Sequence, residues 1–217
     1  MAHDPDASPF AALGQERRYR KGSTLMLQGD VVSTIHLILE GWVKVVQTTP
    51  SGREVLVALL GPDEAFGHFE AFEGTGARHW ATVIALEDTR TAAVPSDQFL
   101  EYLHDHPGAA LEQLRQLIAR FDRAERSRLE AALFDTAHRV ASLLVDLAGR
   151  KSEVTSEGVV LGISLSQDEM STMIGASRDS VARALTSLRS RDMVRTGRRT
   201  ITILDLDAVR AFASEMR

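Results

Sequence analysis

The sequence contains no cysteine. Disulfide bonds, zinc sites with thiolate ligands, cysteine nucleophiles and cysteine-ligated iron–sulfur clusters are therefore excluded. No hydrophobic run approaches the 18 residues that a membrane-spanning helix needs, so we expect no membrane partner. The first ten residues are acidic and polar, which is not the pattern of a secretion signal. These absences predict a soluble, cytoplasmic protein.

Catalytic motifs are also missing. No nucleophile–base pair, paired-carboxylate motif or phosphate-binding P-loop stands out. A His-x-His pair, His104 and His106, falls in a predicted helix beside Pro107, whereas a cupin-like metalloenzyme usually places such a pair on a strand. We predict that the protein is not an enzyme. A cupin-like metalloenzyme is the alternative, and metal analysis of the purified protein would test it.

Positive charge is concentrated in one stretch of an acidic chain. The 217 residues carry 25 basic and 30 acidic side chains, a net charge of −5. Between Arg178 and Arg199 there are seven arginines and two acidic residues, a local excess of five positive charges. Such a patch predicts a local site for a polyanion. The plainer alternative is a solvated helix face.

The same stretch, residues 164–199, has the pattern of two short helices, a tight turn and a basic hairpin. Ser166 and Glu169 have the spacing of a capping box, and Gly175 can leave the first helix in a left-handed conformation. Ser177 is the next N-cap candidate. Apolar residues at i, i+3, i+4 and i+7 predict a buried stripe on the second helix: Val181, Ala184, Leu185 and Leu188. Its polar face is suited to reading base edges and phosphates.

The two parts of the chain before this stretch differ in their residue pattern. Residues 17–95 contain short β-rich runs between glycine turns, which predicts an antiparallel sandwich or barrel. After Gly108, residues up to 134 lack glycine and proline, and apolar residues recur at three and four positions. This predicts a helix about 40 Å long. We expect it to form a dimer seam, because it exceeds what one small domain covers; packing within one chain is the alternative. Residues 150–158 are predicted to be a loop.

The segment 174–183, IGASRDSVAR, is similar to the GxSRExVxR recognition signature of the Crp/Fnr family of transcription regulators. The Glu40-Gly41 turn and the segment 61–67 also resemble that family, and the resemblance covers nearly the whole chain. It implies an α+β fold with an antiparallel, jelly-roll-like β-roll (1–106), a dimerisation helix (107–134) and a winged helix-turn-helix (135–217). It further implies a homodimer that binds a two-fold-symmetric operator in double-stranded DNA, with RNA polymerase as a partner.

By that resemblance, Arg178, Asp179 and Arg183 would read bases. Arginine can reach guanine O6 and N7 together, and a carboxylate can accept from cytosine N4. Asp179 stands where the family usually has glutamate, so the preferred half-site is expected to differ at that base pair. The predicted phosphate contacts, which position the protein without specifying sequence, are Ser166, Ser177, Arg198, Arg199 and Thr200.

The resemblance also places an effector site in the β-roll, at a phosphate cassette that matches residues 67–79. Gly67 and Arg78 fit the cyclic-nucleotide pattern, whereas His68, Glu70 and His79 depart from it. The other effector contacts that it predicts are Phe69, Arg120 and Ala124.

The identity of the effector stays open. A cyclic nucleotide, another nucleotide or an anion are candidates. Haem or metal sensing through His68, His79, His104 and His106 is another, although their spacing fits no closed metal signature. A further alternative is a collapsed pocket in which Arg78 pairs with Glu70 or Glu73 and DNA binding is constitutive. The last is a regulatory subunit that uses the β-roll without DNA, against which the basic patch argues.

Overall fold

The computed structural model describes residues 13–74, 76–197 and 200–215, without the side chain of Ser127. The chain forms two compact units, Met1–Ala119 and Arg120–Arg217. The division falls inside the long helix, and the predicted domain boundaries at 106/107 and 134/135 stay predictions. No described helix is long and apolar enough to cross a membrane.

The first unit contains two four-stranded antiparallel sheets. Their orders are β1-β8-β3-β6 and β2-β7-β4-β5. The strands are β1 (Gln15–Tyr19), β2 (Thr24–Met26), β3 (Thr34–Glu40), β4 (Val43–Thr48), β5 (Glu54–Leu60), β6 (Ala65–Phe66), β7 (Thr82–Ala85) and β8 (Thr89–Pro95). A 3-10 turn (Glu70–Glu73) precedes β7, and the helices α1 (Ser96–Asp105) and α2 (Pro107–Leu133) follow β8. The predicted β-roll is confirmed.

The core of this unit is built on β3, whose side chains serve two clusters. Ile35 packs with Phe99 of α1, and Ile38 packs with Val43 and Val83 between the sheets. Both isoleucines are fully buried. The predicted turn after β3 needs glycine, because Gly41 has φ +88° and a Cβ atom there would lie 2.6 Å from the carbonyl oxygen of Asp88.

Helix α2 leaves an apolar stripe exposed. The side chains recur at three and four residues, as predicted, and each is at least half exposed in the single chain: Leu111, Leu114, Ile118, Phe121 and Leu129. An apolar face of this length has the pattern of a seam between two helices.

Among its described residues, the second unit contains four further helices and one sheet of order β11-β12-β10-β9, in addition to the end of α2. The elements after α2 are α3 (Thr136–Arg150), β9 (Ser152–Thr155), β10 (Gly158–Leu161), α4 (Gln167–Met173), α5 (Arg178–Ser190), β11 (Val194–Gly197), β12 (Thr200–Ile203) and α6 (Leu206–Ser214). All strand pairs are antiparallel. The predicted helix-turn-helix with a following hairpin is confirmed.

The loop predicted over 150–158 is wrong in part, because Ser152–Thr155 forms the edge strand β9 and pairs with β10. An edge strand exposes most of its side chains, and Val154 is 82% exposed, so the apolar alternation that identifies a strand is absent. The turn that brings the strands together ends at Gly158, with φ +124°, whose carbonyl oxygen accepts a hydrogen bond from the Thr155 hydroxyl at 2.9 Å.

Candidate functional site

The turn between α4 and α5 is fixed by caps that the sequence predicts. Ser166 Oγ accepts a hydrogen bond from the backbone N–H of Glu169 at 3.1 Å, and Glu169 Oε2 accepts from the backbone N–H of Ser166 at 3.0 Å. Gly175 has φ +62° after α4, and Ser177 Oγ accepts from the backbone N–H of Ser180 at 3.1 Å. The capping box, the left-handed glycine and the second N-cap are confirmed.

Helix α5 is anchored on its apolar side. The predicted stripe is buried, with exposures of 0 to 4%, and consists of Val181, Ala184, Leu185 and Leu188. Helix α3 adds a polar anchor, because Nη1 of Arg139 donates to the carbonyl oxygen of Ile174 at 2.7 Å. The buried apolar face and the contact from Arg139 therefore fix the position of α5, and the opposite, polar face of the helix is exposed.

That other face begins with charged side chains. Arg178, Asp179 and Arg183 are exposed. Arg183 Nη2 donates to Ser180 Oγ at 2.9 Å, which orients the guanidinium along the first turns of the helix. Among the described residues, the side chains of Arg178 and Asp179 take part in no hydrogen bond or ion pair, so both are available to a partner.

Other arginines of the basic stretch are used within the fold. Arg189 donates to the hydroxyls of Thr196 at 3.0 Å and Thr186 at 2.8 Å, which ties α5 to β11. Arg195 forms an ion pair with Glu157, at the turn between β9 and β10. Of the seven arginines counted in the sequence, Arg195 is therefore paired with a carboxylate and Arg189 is held by two hydroxyls within the fold.

The hairpin of β11 and β12 follows α5. Gly197 pairs with Thr200, and Thr200 is exposed. Arg198 and Arg199, which the sequence predicts as phosphate contacts, lie outside the described residues. A helix with an exposed charged face followed by a β-hairpin can lie in a groove and against the backbone of a duplex.

The cassette in the first unit has a buried carboxylate at its centre. Glu70 is 3% exposed, and its Oε1 accepts a hydrogen bond from the backbone N–H of Trp80 at 3.1 Å. Nδ1 of His79, also buried, lies 3.5 Å from the same oxygen. Gly67 has φ +82°, and a Cβ atom there would lie 3.0 Å from the carbonyl oxygen of Thr34. The backbone is thus closely packed beside this pair.

Glu70 remains ionised in this setting. Burial by itself raises the pKa of Glu70, but the interaction with His79 and the hydrogen bonds from the backbone N–H groups of Glu70 and Trp80 outweigh burial, so the pKa lies below its ordinary value. Arg78 does not contribute a pairing charge: its Nη1 donates to the carbonyl oxygen of Gly29 at 2.7 Å, on the exposed side. The predicted pairing of Arg78 with Glu70 or Glu73 is wrong among the described residues.

His68 lies on the other side of the cassette. Its ring is 3% exposed and lies 4.2 Å from the ring of Phe69, between centroids. It lines a cavity of about 380 Å³ together with residues that are mostly apolar: Phe69, Phe72, Leu100, Leu103, His104, Ala110, Gln113, Leu114 and Leu117. Oε1 of Gln113 is a buried acceptor without a hydrogen-bond partner among the described residues.

The remaining predicted effector and metal residues are placed as follows. Arg120 is half-buried and Ala124 exposed on the part of α2 that belongs to the second unit, and their effector roles stay predictions. No group of three or more histidine, aspartate and glutamate side chains among the described residues could hold a metal ion.

His36, which the sequence did not single out, is a buried histidine stacked on Phe66 with 4.9 Å between ring centroids.

Two family models match the chain. One is described as the cyclic nucleotide-binding domain and matches residues 16–106; the other is the Crp-like helix-turn-helix domain and matches residues 138–212.

Full-length relatives agree with these matches. The chain is 29% identical over 205 residues to the CRP-like cAMP-activated global transcriptional regulator of Mycobacterium tuberculosis, covering 92% of this chain and 90% of that one. It is 30% identical over 190 residues to the cyclic AMP receptor protein of Thermus thermophilus, covering 87% and 83%. The solved structure of FixK2 from Bradyrhizobium japonicum superposes with a TM-score of 0.78 at 18% identity, over 92% of this chain and 96% of that one.

Proposed function

This chain belongs to the Crp/Fnr family of transcription regulators, and we propose that it binds a two-fold-symmetric operator as a homodimer without the help of a cyclic nucleotide. It is a DNA-binding regulator of transcription. Its relatives are regulators, which points to a role other than catalysis. We place its action in the cytoplasm, with RNA polymerase as a partner, because an operator-bound regulator acts on the polymerase at the promoter.

Base reading is assigned to the exposed start of α5. Arg178 and Asp179 have no competing side-chain partner among the described residues, so their hydrogen-bonding capacity is left for base edges. Arg183 lies about one turn further along the same face, held by Ser180. Arginine would pair with guanine and the carboxylate with cytosine.

Phosphate contacts are assigned to the helix N-termini and the hairpin. The hydroxyls of Ser166 and Ser177 already cap α4 and α5, so an arriving phosphate would meet the remaining first-turn N–H groups beside them. Thr200 is exposed on β12 and would contribute its hydroxyl. Arg198 and Arg199 complete the proposed set from the sequence.

The homodimer is supported by the apolar stripe on α2. In the single chain Ile118 is 52% and Phe121 62% exposed, although both are large and apolar. A second copy packed along the stripe would bury these side chains and place two copies of α5 on one duplex.

Independence from cyclic nucleotides rests on one observation: the buried carboxylate of Glu70 occupies the cassette. A cyclic nucleotide brings a phosphate that needs N–H donors and a positive charge. Here the Trp80 N–H and His79 already serve the chain's own carboxylate, and Arg78 is bonded to Gly29. A phosphate beside Glu70 would meet a like charge in a poorly hydrated site.

Fluorescence anisotropy with duplex DNA tests both parts. An operator is first selected from random duplexes with the full chain at low salt. We expect a nanomolar dissociation constant, and an association constant whose logarithm falls linearly with the logarithm of the salt concentration. Adding millimolar cyclic AMP or cyclic GMP should change the association constant less than two-fold. A stable monomer that binds no duplex contradicts the DNA assignment, whereas a ten-fold gain with either nucleotide contradicts only the independence.

A small apolar molecule is a second candidate for the effector that regulates DNA binding, and the cavity beside His68 favours it. Its volume and apolar lining are typical of small-molecule sites, and Oε1 of Gln113 offers one acceptor to fix orientation. The neutral fluorescent probe N-phenyl-1-naphthylamine should bind the dimer with one molecule per chain, and Ala110→Phe, which fills the cavity, should abolish that signal. Unchanged binding by the filled variant would exclude the cavity.

A further inference from the structure

Three side chains form a stack in the second unit. The ring of His138 lies parallel to the ring of Phe212, at 8° and with 4.4 Å between centroids. The guanidinium carbon of Arg191 lies 5.0 Å from the centroid of the Phe212 ring. Nδ1 of His138 lies 2.8 Å from Oδ1 of Asp135. Each contact has a geometry that is attractive: an aromatic stack, a cation over a ring and a charge-assisted hydrogen bond.

The stack connects the junction between α2 and α3 to the C-terminal end of α5, the helix proposed to read DNA. Asp135 follows α2 and caps α3, accepting from the backbone N–H groups of Ala137 at 2.8 Å and His138 at 3.1 Å. Arg191 is the C-cap residue of α5. Phe212, from α6, lies between them, and it is buried together with His138. A continuous set of contacts therefore runs from the α2–α3 junction to the C-terminal end of α5.

The orientation of α5 is sensitive to what holds its end. The helix has 13 residues, so it is about 20 Å long, and a tilt of roughly 5° at one end moves the other by about 2 Å. A hydrogen bond to a base edge tolerates only a few tenths of an ångström. Phosphate contacts from long side chains tolerate much more, because those side chains readjust.

We propose that the His138–Phe212–Arg191 stack is a positioning device that holds α5 at the angle at which its first turn reads bases. The inference rests on the proposed DNA reading by α5. None of the three residues has to touch a base, and loosening the stack lowers the affinity for the operator while leaving the affinity for random DNA nearly unchanged.

The primary test uses Arg191, whose side chain is exposed, so that its replacement does not disturb the core. Operator and random-duplex affinities are measured at one salt concentration for wild type, Arg191→Gln and Arg191→Lys. We expect Arg191→Gln to lower the operator affinity by about five- to twenty-fold, with less than a two-fold change on random DNA. Arg191→Lys keeps a cation over the ring and should retain most of the operator affinity. Arg210→Gln, on the exposed side of α6, is the matched control and should change neither.

A double-mutant cycle separates the stack from a direct phosphate contact. Phe212→Leu removes the ring but keeps the Arg191 charge, and Phe212→Leu combined with Arg191→Gln should bind the operator no more weakly than the weaker single variant. Additive losses, or equal losses on operator and random DNA, would overturn the proposal and identify Arg191 as a phosphate contact. Failure of the wild-type protein to prefer any operator would instead overturn the proposed function.

Discussion

The carboxylate of Glu70 lies 3.5 Å from Nδ1 of His79, and both side chains are almost completely buried in the first unit. The pair lies in the segment 67–79, which the family resemblance predicts to be the phosphate cassette. A buried pair of this kind contributes little over an apolar pair of the same volume, but removing one member leaves the other group buried without compensation. Replacement of Glu70 or His79 alone is therefore expected to destabilise the first unit.

Glu70→Ala is expected to lower the free energy of unfolding by about 2–4 kcal/mol, because the Trp80 N–H loses its acceptor and His79 loses the carboxylate beside its ring. Glu70→Gln should cost about half as much, since the amide oxygen can still accept from Trp80. Urea denaturation followed by circular dichroism measures both. Glu73→Ala, at an exposed position of the same turn, is the control and should stay within about 0.5 kcal/mol of wild type. Equal losses for Glu70→Ala and Glu73→Ala would contradict the role of the pair.

Arg178→Ala should weaken binding to the selected operator by roughly 1–3 kcal/mol and should weaken binding to random DNA far less, because a base contact is lost. Anisotropy titrations on both duplexes give the ratio of the two affinities.

Asp179→Glu lengthens the side chain by one methylene and should change the preferred base pair at one position of each half-site, as read by repeating the operator selection. An unchanged selected sequence would rule out Asp179 as a base reader.

Phe121→Glu places a charge in the apolar stripe of α2 and should convert the dimer to a monomer at micromolar concentration, because an unpaired carboxylate would be buried in the seam. Arg126→Glu is the control on an exposed position of the same helix and should remain dimeric. Analytical ultracentrifugation measures the mass. A dimer that persists in Phe121→Glu would locate the seam elsewhere.

His36 makes the stability of the first unit depend on pH. Burial, together with the charges of Arg17 and His79, lowers the pKa of His36 from 6.5 to about 4. The unfolded chain therefore binds more protons between these two values, and the free energy of unfolding falls as the pH drops from about 6.5 towards 4. The total effect is on the order of 3 kcal/mol, and His36 contributes almost no pH dependence above about pH 8.

His36→Gln should flatten that part of the profile, since glutamine does not titrate and can still bond the hydroxyl of Thr91, which lies 3.0 Å from Nδ1 of His36. The comparison uses the difference between the two proteins at each pH, because Glu70 and Asp135 also titrate in acid and contribute equally to both. Parallel profiles from pH 7 to pH 4 would show that His36 is not the group responsible.

The sequence predicts the helix caps of the second unit but misses an edge strand. The caps of α4 and α5 depend on residues three apart, Ser166 with Glu169 and Ser177 with Ser180, so spacing alone identifies them. The strand β9 is missed because its side chains face solvent and carry no apolar alternation.

The partner of Glu70 is missed for a different reason. One of the alternatives drawn from the sequence pairs Arg78 with Glu70 or Glu73, but the extended backbone around Arg78, which bridges to Val31, points successive side chains to opposite faces. His79 therefore points inward and Arg78 outward. A better signal was available in the alternation itself, because a residue next to an exposed arginine in an extended segment faces the interior.

The sheet order β11-β12-β10-β9 places β12 between two neighbours, so the stem of the hairpin that follows α5 is not a free ribbon. A lone pair of strands is marginal in water, whereas this one is ordered from the moment the unit folds. The hairpin stem loses its conformational entropy during folding, so DNA binding requires no further ordering of this segment. Amide hydrogen exchange along β12 should accordingly be as slow in the isolated regulator as in its complex with DNA.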